Sequence, residues 1–168
     1  MRVSDALVAG AVILRPAWGN FEATIVGMVE QLVSCGKLPS RLAESAVERI
    51  REREAMASTA MVDIGVSIPH ARLEGIDGIV AALALSPQAV YPAGDGLPIG
   101  IVALVLSSPA LTGEHLTFLS ALSLLLQSAH TRSQLRYAAT ADDVLQLIGS
   151  EEQPRGFAAR RANVSLQK

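Results

Sequence analysis

The chain has 168 residues, half of them apolar, which is enough for one domain with its own core and too hydrophobic for a disordered segment. A formal charge of −2, with no basic stripe interleaved with aromatics, gives no reason to expect nucleic acid as a partner. Cys35 stands alone, which rules out an internal disulfide and a cysteine-based metal cage, and no run approaches the roughly 18 apolar residues of a membrane span.

The stretch from Ala6 to Leu14 has the apolar character of a signal-peptide core. Asp5 precedes it, Arg2 supplies the only positive side chain ahead of it, and no small-x-small cleavage site follows before Trp18. The expected location is therefore cytoplasmic. Val12 to Leu14 is a strand candidate, punctuated by the turn residues Pro16 to Asn20. Asn20 is an N-cap for a helix running to about Ser34, with Ile25, Met28, Val29 and Leu32 on one face and Gly36 ending it. Ser40 opens a second helix to roughly Met56, its apolar face formed by Leu42, Ala46, Val47 and Ile50. Charged residues from Arg49 to Glu54 crowd its last turns, where basic side chains suit the negative end of the helix dipole.

After Ser58 the pattern changes. Ile64 to Ile68, Ile79 to Leu85 and Ile99 to Leu106 are strand candidates, the last two apolar on nearly every residue, as expected when both sheet faces are covered. The Pro, Gly and Asp cluster from Tyr91 to Pro98 signals a hairpin. A Leu-rich helix starting at Thr112 or Gly113 and ending near Leu126 is expected to bury most of its circumference. Ser133 to Ala138 reads as a short helix, and Thr140 caps a final one with Val144, Leu145 and Ile148 inward. From Glu151 onward periodicity is lost. The expectation is a single domain over residues 1–150 and a flexible tail over 151–168. The order of elements implies an α/β (α+β) fold in which a mixed β-sheet carries helices on both faces, a three-layer α/β/α arrangement.

Three histidines can carry chemistry. His130 lies in an expected turn beside Thr131 and is assigned no role. His70 follows Pro69, whose ring fixes φ and removes a backbone donor, so a strand is expected to end there with the imidazole held at the sheet edge. His115 falls in the first turn of the Leu-rich helix, where free N–H groups favour anions. Arg53 has an innocent role at a helix C-terminus, but it lies on a different element from either histidine, so the three can converge. A neutral imidazole keeps one nitrogen lone pair as a nucleophile, provided that its other nitrogen donates, for instance to a carbonyl. A phosphoryl group in flight needs positioning and charge stabilisation, which a guanidinium and a second imidazole supply.

The ordered pieces Arg53-Glu54, Thr59, Ser67-Ile68-Pro69-His70, Asp95-Gly96-Leu97-Pro98-Ile99 and Glu114-His115-Leu116 resemble one family. It is the enzyme IIA domain of the phosphoenolpyruvate-dependent phosphotransferase system, fructose/mannitol type, including its nitrogen-regulatory members. The resemblance covers residues 4–150. It implies a phosphohistidine carrier in which His70 accepts a phosphoryl group from an HPr-like phosphocarrier protein. His70 then passes it to a IIB domain or keeps it as a regulatory mark. His115 and Arg53 would bind the phosphoryl group, Thr59 would offer a supporting hydroxyl, and neither a metal nor another cofactor is implied. The sequence departs from the family where Ala60 and Val62 stand in place of glycines and Asp63 adds a negative charge near the proposed acceptor. Two competing readings are a IIA-like regulatory module that binds a protein without transferring phosphate, and a metal hydrolase using His70 and His115. The second lacks a third ligand in sequence.

Overall fold

The computed structural model describes residues 1–152. Of the tail expected over 151–168, Glu151 and Glu152 close the last helix, and the remainder lies outside the described residues.

The chain opens with a short helix α1 (Val3–Ala6), a 3₁₀ turn (Ala9–Ala11) and strand β1 (Val12–Leu14). Helices α2 (Phe21–Ser34) and α3 (Ala43–Met56) follow, the latter led in by a 3₁₀ turn at Ser40–Leu42. Three short strands come next, β2 (Ala60–Met61), β3 (Val66–Ser67) and β4 (His70–Arg72), and then the longer β5 (Ile79–Leu85). A hairpin of β6 (Tyr91–Pro92) and β7 (Pro98–Ile99) leads into β8 (Ile101–Ser107), and α4 (Thr112–Leu125), α5 (Ala129–Arg136) and α6 (Ala141–Glu151) complete the order.

The main sheet runs β1-β5-β8-β3-β2, with β4 paired to β8 alone. Pairing is mixed. β5 and β8 are antiparallel over seven residues each, whereas β1 on β5 and both β3 and β4 on β8 are parallel. Alternation along the central strands sends their side chains to two cores. Leu83, Leu85, Ala103 and Val105 pack with Phe118, Leu122, Val144 and Ile148 on one face. Ala82, Ala84, Leu104 and Leu106 pack with Ile25, Met28, Leu32 and Ile50 on the other. The three-layer arrangement follows: α2 and α3 on one face, α1, α4, α5 and α6 on the other.

Several boundaries match their sequence signals. The Asn20 side chain accepts from Ala23 N–H at 2.7 Å, and Thr140 Oγ1 accepts from Asp143 N–H at 3.1 Å, so both expected caps are formed. Four expectations are corrected. The strand foreseen over 64–68 is only Val66–Ser67, because Ile64 and Gly65 form the turn of the β2–β3 hairpin. Pro69 does not end the strand: it interrupts it, and pairing to β8 resumes at His70, with Val105 N–H donating to the Pro69 carbonyl at 3.0 Å. Helix α5 begins well before Ser133, because Ser128 caps it by accepting from Thr131 N–H at 3.2 Å. Helix α4 buries one stripe, His115, Phe118 and Leu122, against the sheet and its neighbouring helices, and leaves Leu116 and Leu124 at 59% and 76% exposure on the side that nothing covers among the described residues. No helix among the described residues is long and apolar enough to cross a membrane.

Candidate functional site

The site grows from an irregularity of the sheet. β3 is covered on its outer side by β2, but β2 stops short and β4 has β8 as its one strand neighbour. The open edge of β4 lies where the two helical layers meet, and a cleft forms there. From α3 it receives Arg49, Glu52, Arg53 and Met56, at positions that share one helical stripe. From β4 it receives His70 and Arg72, two residues apart and so on the same sheet face, and from α4 it receives His115.

His70 is half-buried, and its Nδ1 lies 2.8 Å from the Ile68 carbonyl oxygen. A carbonyl only accepts, so Nδ1 carries the proton and donates. Pro69, whose ring fixes its φ, stands between the two residues. The bond through Nδ1 leaves the Nε2 lone pair uncommitted.

His115 is 6% exposed, with its ring centroid 5.7 Å from that of His70 and the planes inclined at 50°. Burial, then the positive charge of Arg72 and the neighbouring His70, lower its pKa to about 4. The ring is therefore neutral at pH 7, with one donor nitrogen and one acceptor. Its Nδ1 is hydrogen-bonded to Oγ of the fully buried Ser107. With the Ser107 hydroxyl donating, Nδ1 is the acceptor and Nε2 holds the proton as a donor.

Arg53 as a residue is half-buried, and its exposed guanidinium donates through Nη1 to the Ala57 carbonyl at 3.1 Å, just past the end of α3. His70, His115 and Arg53 thus line one cleft. Thr59 is not part of it. Its hydroxyl donates to Glu54 Oε2 at 2.7 Å and its N–H donates to Glu54 Oε1 at 2.8 Å, so the threonine ties down the segment after α3. It lines a neighbouring cleft, which it shares with Ala60, Met61, Ile68 and the other side of His70. Asp63 sits exposed in the β2–β3 turn and lines neither cleft, as does His130, exposed in the first turn of α5. No group of three or more metal-ligating side chains converges among the described residues, so His70 and His115 have no third ligand for a hydrolytic metal.

Sequence reasoning missed Arg72, Arg49 and Ser107. Two signals were available: Arg72 is one strand period from His70, and Arg49 is one helical turn before Arg53. Ser107 had none, because its meeting with His115 depends on how α4 docks at the end of β8.

A family model described as "Phosphoenolpyruvate-dependent sugar phosphotransferase system, EIIA 2" matches residues 9–151. The chain is 30% identical over 149 residues to a nitrogen regulatory protein of Pseudomonas aeruginosa, covering 88% of this chain and 95% of that one. It is 30% identical over 153 residues to the fructose-specific EIIABC component of Bacillus subtilis, covering 90% of this chain and 24% of that much longer protein. Among solved structures, nitrogen regulatory protein IIA-Ntr from Neisseria meningitidis shares the fold with a TM-score of 0.75, at 24% identity, over 87% of this chain and 98% of that one.

Proposed function

Because the chain belongs to the EIIA 2 family of the phosphoenolpyruvate-dependent sugar phosphotransferase system, we propose that it is a phosphohistidine carrier with His70 as the phosphoryl acceptor. The observation that carries this reading is the Nδ1–H of His70 held on the Ile68 carbonyl, which leaves Nε2 free at a cleft shared with Arg53 and a neutral His115.

In the proposed step, Nε2 of His70 attacks the phosphorus of a phosphohistidine on an HPr-like donor. A new N–P bond forms, the donor's N–P bond breaks, and its electron pair returns to the departing imidazole. No proton has to leave His70. Its ring gains positive charge as the bond forms, and the Ile68 carbonyl dipole facing Nδ1–H stabilises that charge. The equatorial oxygens meet the Arg53 guanidinium and the Nε2–H of His115. A neutral His115 suits this role, because it donates a hydrogen bond without trapping the phosphoryl group in a permanent ion pair. In the onward step a nucleophile of a IIB domain attacks the phosphorus, the His70 Nε2–P bond breaks and its electron pair returns to the imidazole; without that step the group stays on His70 as a regulatory mark. Relatives named for nitrogen regulation and for fructose transport support either destination. The chemistry calls on no metal or other cofactor, nucleic acid or membrane insertion, and a cytoplasmic location fits its protein partners.

The test is to incubate the purified protein with phosphoenolpyruvate, enzyme I and HPr and to look for acid-labile phosphate. Wild-type protein is expected to take label and His70→Ala to take none; label on the variant overturns the site assignment. Absence of label on wild-type protein, with HPr itself labelled, favours a IIA-like regulatory module that binds a partner without transfer. One observation supports that second reading. Ala60, which replaces a family glycine, pairs with Ser67 in the β2–β3 hairpin and lines the second cleft beside His70.

A further inference from the structure

We propose that Arg72 is a second phosphate-binding residue of this cleft, closing on the phosphoryl oxygens from the side opposite the helix that carries Arg53. The inference rests on the phosphocarrier reading and assigns that site a residue outside the motif that carries the family resemblance.

The argument starts from charge. A phosphoryl group carries about −1.5 to −2 at neutral pH, so a half-buried site that holds it needs close to two compensating charges. The cleft contains three guanidinium groups and one imidazole besides the acceptor. The imidazole of His115 contributes no charge, since it is neutral above about pH 4. Arg49 is already compensated, because its Nη1 lies 2.9 Å from Glu52 Oε2 within the same helix. Arg53 and Arg72 remain. Among the described residues no carboxylate lies within ion-pair distance of either.

Geometry singles out Arg72 further. It stands two residues after His70 on β4, so both side chains rise from the same face of the strand, and the pairing of β4 to β8 fixes their spacing. Its Nη1 is steered by two backbone carbonyls, Ser108 at 3.3 Å and Pro109 at 3.5 Å. Carbonyl oxygens orient a guanidinium without cancelling its charge. The remaining edge, Nε and Nη2, keeps the planar fork that matches two phosphoryl oxygens. The side chain is half-buried, where a charge-assisted contact is screened less than on an open surface.

The test compares Arg72→Gln, Arg72→Lys and wild type in two measurements. The first is the initial rate of His70 labelling from phosphorylated HPr. Loss of a charge-assisted pair predicts a slowing of about 10- to 100-fold for Arg72→Gln. Arg72→Lys, which keeps the charge but not the fork, is expected to recover a substantial part of the rate; recovery no better than with Gln overturns the charge argument. The second is titration with inorganic phosphate, followed by NMR of the His70 and His115 ring protons. Arg72→Gln is expected to need at least several-fold more phosphate to reach half-saturation. A residue that merely supports the fold would leave this half-saturation unmoved, and that result overturns the proposal. Wild-type protein that takes no label overturns the carrier reading and this inference with it. Wild-type protein that labels normally while Arg72→Gln labels equally fast overturns this inference alone.

Discussion

At the scale of single residues, the site depends on protonation states set by neighbours. His70 and His115 are the same side chain in opposite settings. One bonds Nδ1 to a carbonyl and keeps an uncommitted Nε2, and the other is buried against a serine hydroxyl with its basicity suppressed. The suppression has a measurable consequence. The pKa of His115 falls from 6.5 in the unfolded chain to about 4 in the fold. Between those pH values the unfolded chain binds a proton that the fold excludes, so this group lowers stability as pH drops from about 6.5 to about 4. Above 6.5 its contribution is fully present and constant. The expected loss across the window is on the order of 3 kcal/mol. Urea unfolding of wild type and His115→Gln at several pH values checks it: the stability difference between them should shift in favour of the variant as pH falls. A difference that stays constant over the window refutes the assignment. The residue scale is also where sequence reasoning was strongest and most incomplete. Pro69-His70 announced a presented imidazole, while Arg72 was passed over although strand alternation points to it.

At the scale of elements, helices carried clear signals and short strands did not. Asn20 and Thr140 act as caps through local hydrogen bonds, so the starts of α2 and α6 were legible from a few neighbouring residues. The segment from β2 to β4 was misjudged because its form depends on partners elsewhere in the chain. Gly65 shows why. Its φ is +67°, its carbonyl accepts from Gly100 N–H at 2.9 Å and Ile101 N–H at 3.2 Å, and an added Cβ would lie 3.1 Å from the Pro98 carbonyl oxygen. The β2–β3 turn is thereby fastened to the chain entering β8. Gly65→Ala meets both the left-handed backbone penalty and that close approach, so a destabilisation of about 1–2 kcal/mol is expected. For a chain of this size that is a fall in Tm of several degrees, read by thermal unfolding. An unchanged Tm would mean that the turn relaxes freely and does not position β4.

At the scale of the whole molecule, the two ends of the described chain are tied together. Glu152, just past α6, accepts from Val3 N–H at 2.6 Å and from Ser4 N–H at 2.9 Å, and so satisfies the free donors at the start of α1. We propose that the EIIA domain extends through this residue rather than stopping at 150, and that residues 153–168 are dispensable for it. A chain ending at Glu152 is expected to match full-length protein in Tm and in His70 labelling. A chain ending at residue 150 is expected to lose about 1–2 kcal/mol through the freed α1 donors. Equal stability of the two truncations would show that α1 is held by packing alone.

The sequence by itself determined the α/β class, the extent of α2, the end of α3 and the β5 and β8 runs, and it put His70, Arg53 and His115 forward together as candidates. These are written in local periodicity, in caps and in a motif whose residue types have few other uses together. Tertiary structure alone decided that β4 resumes after Pro69, that Thr59 is bound to Glu54 and that Ser107 holds His115. Each of those facts is a contact between distant segments, set by sheet register and helix docking. Neither quantity is encoded in any single window of the chain.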